Sequence, residues 1–273
     1  MPRVITAVDP KPGRTHSEDV VGYANDFYWL LDGATPPSLP GSSALTQRFL
    51  TSITGHLERL ARVCPSYAPE QLLADAIAGV REDFADIAPD GFFPHSTAVV
   101  VKLVDRCLQY CVLGDSYLIV DDGTSARVIC DDRLKHIATS KRAAVRRLRA
   151  EGIGEDEPAY RQARDALIAE EKSQLNRPGG FWVAARDPDA PSHGLVGKVE
   201  LPPDAMALAA SDGYARLATM FSEPDALGAL PKATLHLGAV ASLNRLRHLE
   251  STKTSHASSK HDDAAFLLLH QIP

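Results

Sequence analysis

Apolar residues in this chain come in short runs broken by glycine, proline and aspartate, and the spacing within the runs changes along the sequence. VITAV near the start reads as a short strand, followed by a polar turn from Asp9 to Gly13. DFYWLLDG reads as a strand that ends abruptly in a turn, which continues through Pro36, Pro37, Pro40 and Gly41. A helix is expected to begin near Ser42 or Ser43, either of which can cap it. Leu45, Phe49, Ile53, Leu57 and Leu60 then recur at helical spacing and define a buried face. A second helix is expected from about Pro69 to Phe84, with its proline tolerated in the first turn and Leu72, Leu73, Ile77 and Val80 as its stripe.

A β-rich stretch comes next. STAVVVKLV, CLQYCVLGD and SYLIVDDG read as successive strands, and ARVICDD as the return arm of a hairpin turning at Asp121, Asp122 and Gly123. The connections leave little room for crossover helices, so the pattern argues for antiparallel sheets. Residues from about 133 to 192 differ: two polar helices are expected near 140–150 and 158–172, then the turn NRPGG, the apolar FWVAA and the turn-rich RDPDAPSHG. This stretch reads as an elaboration over the core, with mobility of its own. Within it, Trp182 is expected to pin the elaboration to the core, the alternative being a place on a substrate cleft. Strands resume with GKVEL and AMALAASDG, and helices are expected over about 223–249. STKTSHASSKHDD reads as polar and flexible, and AAFLLLH as a buried last strand. No internal repeat or domain linker interrupts residues 1–273, so one domain is expected.

The chain of 273 residues is 44% hydrophobic, enough for one substantial core, and its formal charge of −6 does not suit a nucleic-acid coat. The basic run KRAAVRRLR is expected to be a solvated helix face, the sharper alternative being a contact with a phosphate-bearing partner. Cys64, Cys107, Cys111 and Cys130 form no close CxxC pair, and buried thiols are expected in place of disulfides or zinc. The opening MPRVITAVDPKPGR lacks an apolar signal core, and no window approaches the length of a membrane span. The expectation is a cytoplasmic, reduced, monomeric protein that binds neither nucleic acid nor membrane.

Four aspartates change the picture. Asp32 and Asp212 each follow an apolar run and precede a glycine, Asp115 follows CVLG, and Asp262 precedes AAFLLL. Carboxylates gathered at a sheet edge repel one another unless cations lie between them. With only hard oxygen donors on offer, the expected ions are Mg²⁺ or Mn²⁺. Two such ions can hold a bridging water that attacks a phosphate ester. Arg14 offers a bidentate fork for phosphoryl oxygens.

The ordered set GRTHSED, LLDGA, HSTAVV, VLGDS, ASDG and DDAAFLLL resembles the metal-dependent serine/threonine protein phosphatases of the PP2C (PPM) family, from Arg14 to about Leu269. The resemblance implies an α+β fold, a four-layer α/β/β/α sandwich of two antiparallel sheets flanked by helices. It implies that Arg14 binds the substrate phosphate and that Glu18 reaches a metal through water. It further implies that Asp32 bridges two metals, that the Gly33 carbonyl serves the second, and that Asp212 and Asp262 complete the first. Asp115, with Asp212, matches a weaker third position in bacterial members, and Asp19 and Asp263 match supporting residues behind the ligands. The implied activity is hydrolysis of phosphoserine or phosphothreonine in proteins with two or three Mg²⁺ or Mn²⁺ ions.

The chain departs from the family's pattern at the rim. DGATPP replaces DGHGG or DGMGG, so Ala34 stands where many members have a histidine. Thr35 and Pro36 replace two glycines, and Pro37 stiffens the turn beyond them. His95 replaces a glycine, Tyr117 a common arginine and Ala265 a frequent threonine. His16, His95 and His261 lie near the motifs as potential proton carriers, with structural or exposed roles expected for each. These departures keep other readings open: a phosphatase of a small phosphorylated metabolite, or a non-catalytic phosphatase-like binding module. A two-metal nuclease is disfavoured by the acidic balance.

Overall fold

The computed structural model describes residues 2–35, 41–87, 92–221, 226–252 and 261–272. In chain order the strands are β1 (Arg3–Asp9), β2 (Asp19–Ala24), β3 (Phe27–Ala34), β4 (His95–Val104), β5 (Cys107–Leu113), β6 (Tyr117–Asp121), β7 (Ala126–Cys130), β8 (Leu195–Glu200), β9 (Met206–Ala210) and β10 (Ala264–His270). The helices are α1 (Ser42–Val63), α2 (Pro69–Asp83), α3 (Thr139–Ala150), α4 (Pro158–Gln174), α5 (Asp212–Thr219), α6 (Ala226–Leu237) and α7 (Ala239–Thr252). The strands form two antiparallel sheets of five, ordered β1-β10-β9-β6-β7 and β2-β3-β4-β5-β8.

The sheets pack face to face. Leu30, Val99, Val101 and Val112 of one meet Leu118, Ala207, Leu267 and Leu269 of the other. On the outer face of the β3 sheet, Trp29, Leu31 and Val100 pack against Phe49, Ile53 and Ile77 of α1 and α2. On the outer face of the β10 sheet, Phe266 and Leu268 pack against Tyr214, Leu217 and Leu246 of α5 and α7. The order of layers is therefore α/β/β/α. Central strands covered on both faces have no reason to alternate, which is why FYWLL and AFLLLH read as unbroken apolar runs.

The structure corrects several local expectations. Strand β2 went unrecognised in DVVGYA. Strand β3 does not stop at Asp32 but pairs with β4 through Ala34, opposite His95. Helix α1 is entered through Gly41 in a left-handed conformation, and neither Ser42 nor Ser43 caps it. Strands β5 and β6 belong to different sheets, and the chain crosses between them at Gly114–Ser116. Asp212 does not end a strand; it opens α5, whose cap is Ser211. Of the four cysteines only Cys111 is fully buried, and all four are free thiols. The anticipated flexible stretch falls largely on residues 253–260, outside the described residues.

Helices α3 and α4 pack as a hairpin, tied by Lys141 to Glu170 at 2.7 Å and Arg142 to Glu171 at 2.5 Å. The first two basic residues of the run, Lys141 and Arg142, are thus neutralised by the facing helix, while Arg146 and Arg147 are exposed. Trp182 is buried against the α1–α2 core and stacks on His193 at 3.7 Å between ring centroids, which pins this part of the chain to the body. Among the described residues no helix is long and apolar enough to cross a membrane.

Candidate metal centre

The carboxylates meet where one end of each sheet comes together. Asp19, the first residue of β2, lies directly opposite Asp32 of β3 in the ladder. Asp212 sits in the first turn of α5, just beyond β9, and Asp262 lies two residues before β10. These two approach because Ser211 ties their strands: its N–H donates to the Ala265 carbonyl at 3.0 Å, and its Oγ accepts the Ala265 N–H at 3.0 Å. Gly213 makes the approach sterically possible, since a Cβ there would stand 1.8 Å from the Asp263 carbonyl oxygen. Asp115 reaches the cluster from the crossing between sheets. That turn needs glycine at position 114, where φ is +74° and a Cβ would meet Thr97 Cγ2 at 2.7 Å. Thr97 and Ser116 share a hydrogen bond of 2.6 Å that fixes the same turn to β4.

Burial and mutual repulsion push this group upward together. Burial, then Asp263 and Asp262, raise the Asp19 carboxyl to about 7, against lowering contributions from the Ser211 hydroxyl and Asp32. Asp32 is raised well above the usual range by burial and then by Asp19, Asp212, Asp262 and Asp115. For Asp212 burial comes first, followed by Asp262, Asp115 and Asp19. Asp212 opens to solvent at the rim, so water tempers the burial contribution there while the charges remain. Asp262 is raised by burial, with Arg216 and Lys11 pulling it down, and Asp115 is raised by burial, with Arg142 pulling it down.

The residues expected to support the ligands are engaged in the surrounding loop. Asp263 accepts the Lys11 N–H on Oδ1 at 2.5 Å and the Glu18 N–H on Oδ2 at 2.8 Å, joining the two ends of the sequence motif set. The Glu18 carboxylate is buried and accepts from Arg14 at 2.8 Å and Ser43 at 2.6 Å. Gly33 donates its N–H to the Glu18 carbonyl at 2.8 Å. Arg14 stays largely exposed on the turn above.

Sequence reasoning overlooked three supports. Ser43 holds Glu18, and Ser211 caps α5 by accepting the Tyr214 N–H; the serine ahead of the aspartate in SDG was a legible cap signal. The third is an ion network on α7, which had no sequence signal. Glu250, fully buried, accepts from Arg216 at 2.9 Å and Arg247 at 2.8 Å and pairs with His261 at 3.0 Å. Arg247 also donates to Asp9 at 2.6 Å and to the Asp262 carbonyl at 2.8 Å, anchoring the Asp262 segment from behind.

The donor set suits a hard divalent cation, because it is all oxygen. Asp19 Oδ2 supports the same reading: it is buried and has no hydrogen-bond partner among the described residues. Among the described residues no three His, Cys, Asp or Glu side chains already close on one point at metal-ligand spacing. Repelling carboxylates have no cause to crowd onto one point by themselves.

No protein-family model and no characterised protein matches this chain by sequence. Solved structures do match it. The catalytic domain of the serine/threonine phosphatase PstP, solved with two manganese ions, superposes with a TM-score of 0.57 at 16% identity, covering 99% of this chain and 98% of that one. The fold is that of the PPM serine/threonine phosphatases. The Mycobacterium tuberculosis phosphatase PstP/Ppp gives a TM-score of 0.59 at 16% identity over 99% of both chains. The phosphatase Stp1 from Staphylococcus aureus gives 0.54 at 15% identity, over 99% of this chain and 95% of its own.

Proposed function

We propose that this chain is a metal-dependent phosphomonoester hydrolase that acts on phosphoserine or phosphothreonine in proteins. The observation that carries the reading is the meeting of Asp32, Asp212, Asp262 and Asp115, from four separate stretches of chain, where the other three raise the proton affinity of Asp32, and Asp262 and Asp115 raise that of Asp212. Asp32, the Gly33 carbonyl, Asp212 and Asp262 would hold two Mg²⁺ or Mn²⁺ ions. Asp115 would serve a third with Asp212, and Glu18 would reach the centre through water. Such ions, when bound, supply a Lewis-acid clamp on phosphoryl oxygens and a nucleophile from water at neutral pH.

The remaining roles belong to the chain. Arg14 commits one Nη1 donor to Glu18 and keeps the rest of its fork for phosphoryl oxygens. Asp263, by holding the Lys11 and Glu18 backbone, keeps the Arg14 turn over the strand ends. Among the described residues no histidine beside the motifs is placed as a proton donor: His16 is exposed, His261 is bound to Glu250, and burial pushes His95 down to about 4, leaving it neutral. Protonation of the leaving oxygen therefore falls to water.

The test is turnover of phosphoserine and phosphothreonine peptides by the purified chain with Mn²⁺ or Mg²⁺, with and without chelator. Asp32→Ala and Asp212→Ala should remove activity while keeping the fold; full activity in either would overturn the assignment. The divergent DGATPP, with Ala34 in the place of a histidine, favours a second reading, a non-catalytic binding module. Metal-dependent turnover that disappears with chelator rules that reading out.

A further inference from the structure

A cavity of about 640 Å³ lies between the α3–α4 hairpin and the body of the protein. Phe93, Phe181 and Ala185 line it from the body, and Val145, Leu167 and Ile168 from the hairpin. It is large enough for a bulky side chain and the backbone on either side. Its wall continues to the candidate metal centre through Ala34, Thr35 and His95. Ala34 lies two residues beyond Asp32 on β3, about 7 Å along the strand.

Two further features describe the occupant. Five cationic side chains, Arg142, Arg149, Arg164, Lys172 and Arg186, line the cavity against two carboxylates, Glu171 and Asp187. Arg142 is paired with Glu171, while Arg149 and Arg164 share the half-exposed Glu155, so the lining as a whole favours a negatively charged guest. Tyr160, fully buried in the same wall, has a hydroxyl without a hydrogen-bond partner among the described residues. A buried phenol in that state is stabilised by an acceptor such as a peptide carbonyl.

We propose that this cavity is a substrate pocket that receives a large apolar side chain, aromatic by preference, within a few residues of the phosphorylated residue of an acidic polypeptide. The proposal rests on the phosphatase reading. An apolar lining next to the centre favours an aromatic ring through buried area, and the cationic lining favours acidic flanks.

The experiment compares acidic phosphoserine peptides that differ only in Phe, Trp or Ala at each of the three positions on either side of the phosphoresidue. An aryl phosphate serves as a small-substrate control. For the unaltered protein kcat/KM is expected to favour Phe at one position by roughly tenfold or more. In Ile168→Trp, which fills the cavity, the Phe-to-Ala ratio should fall toward one. In Leu167→Ala, which widens it, preference should move from Phe toward Trp, so the result stands even if the filled variant does not fold. A ratio within twofold of one at every position, alongside normal aryl phosphate hydrolysis, overturns the pocket and leaves the phosphatase reading intact. So does an unchanged ratio in a folded Ile168→Trp. Absence of hydrolysis of every phosphoester in the presence of Mn²⁺ overturns both.

Discussion

Asp19 and Asp32 face one another across the β2–β3 ladder, and one oxygen of Asp19 is buried with no hydrogen-bond partner among the described residues. Like charges directly opposite in a sheet are destabilising, so this pair works against the fold until a cation lies between or beside it. Asp19→Asn should therefore raise the melting temperature of the chelator-treated protein, by about 2–4 °C for each 1 kcal/mol relieved. The same change should weaken Mn²⁺ binding. Thermal unfolding with chelator and with Mn²⁺ checks both, and a lower melting temperature in both would show that Asp19 has a purely structural role.

The raised carboxylates give the metal-free protein a definite pH dependence. Asp19 titrates at about 7 in the fold, and Asp32 and Asp212 lie well above their ordinary value. Over pH 6.5 to 8 the unfolded chain holds these carboxyls ionised while the fold still binds protons, so stability falls as pH rises. Below pH 6.5 an opposing contribution enters: His95, pushed down to about 4 by burial, stays neutral in the fold while the unfolded histidine takes up a proton. Melting temperatures without metal should decline from pH 6.5 to 8. Saturating Mn²⁺ should flatten or reverse the decline, because the ion binds the ionised form. A metal-free curve rising over that window would contradict the clustering.

Gly213 is a spacing residue. A Cβ there would overlap the Asp263 backbone oxygen at 1.8 Å, so Gly213→Ala must push α5 and the Asp262–Asp263 segment apart. A loss of about 3 kcal/mol or more is expected, with Mn²⁺ affinity reduced. Gly55, within α1, is the control: a Cβ added there would meet nothing within 4 Å, and Gly55→Ala should gain about 0.5–1 kcal/mol from helix propensity. Denaturant unfolding of the pair separates a steric role from a general effect of losing glycine.

Glu250 carries the network behind Asp262. Glu250→Ala leaves Arg216 and Arg247 without their buried carboxylate, and removal of one partner of a buried pair costs about 3–5 kcal/mol. Since Arg247 also holds the Asp262 carbonyl, metal affinity should fall as well. Isothermal titration with Mn²⁺ measures this; an unchanged affinity in a folded variant would mean that the anchor does not reach the centre.

Much of the architecture could be read along the chain because burial leaves a local signature. FYWLL and AFLLLH announce strands covered on both faces, and the Leu45 to Leu60 spacing announces α1. The aspartates were legible for a related reason: a carboxylate placed against an apolar run is costly without a purpose. DVVGYA escaped as a strand because Asp19 and Gly22 interrupt its apolar pattern. Its pairing is set by β3 beside it, which no local window contains.

What the chain's own order of residues determined is where apolar faces form, where most elements lie and which residue types are available for chemistry. Those properties arise from periodicity, turn chemistry and side-chain identity, which act over a few residues. Tertiary structure decided the rest: that Asp19 confronts Asp32, that Gly213 lets α5 press against Asp263, that Arg247 and Glu250 brace Asp262, and that a cavity opens beneath the α3–α4 hairpin. These depend on contacts that no short stretch of chain contains, and electrostatic repulsion, steric overlap and cavity shape exist only once packing has fixed those distances.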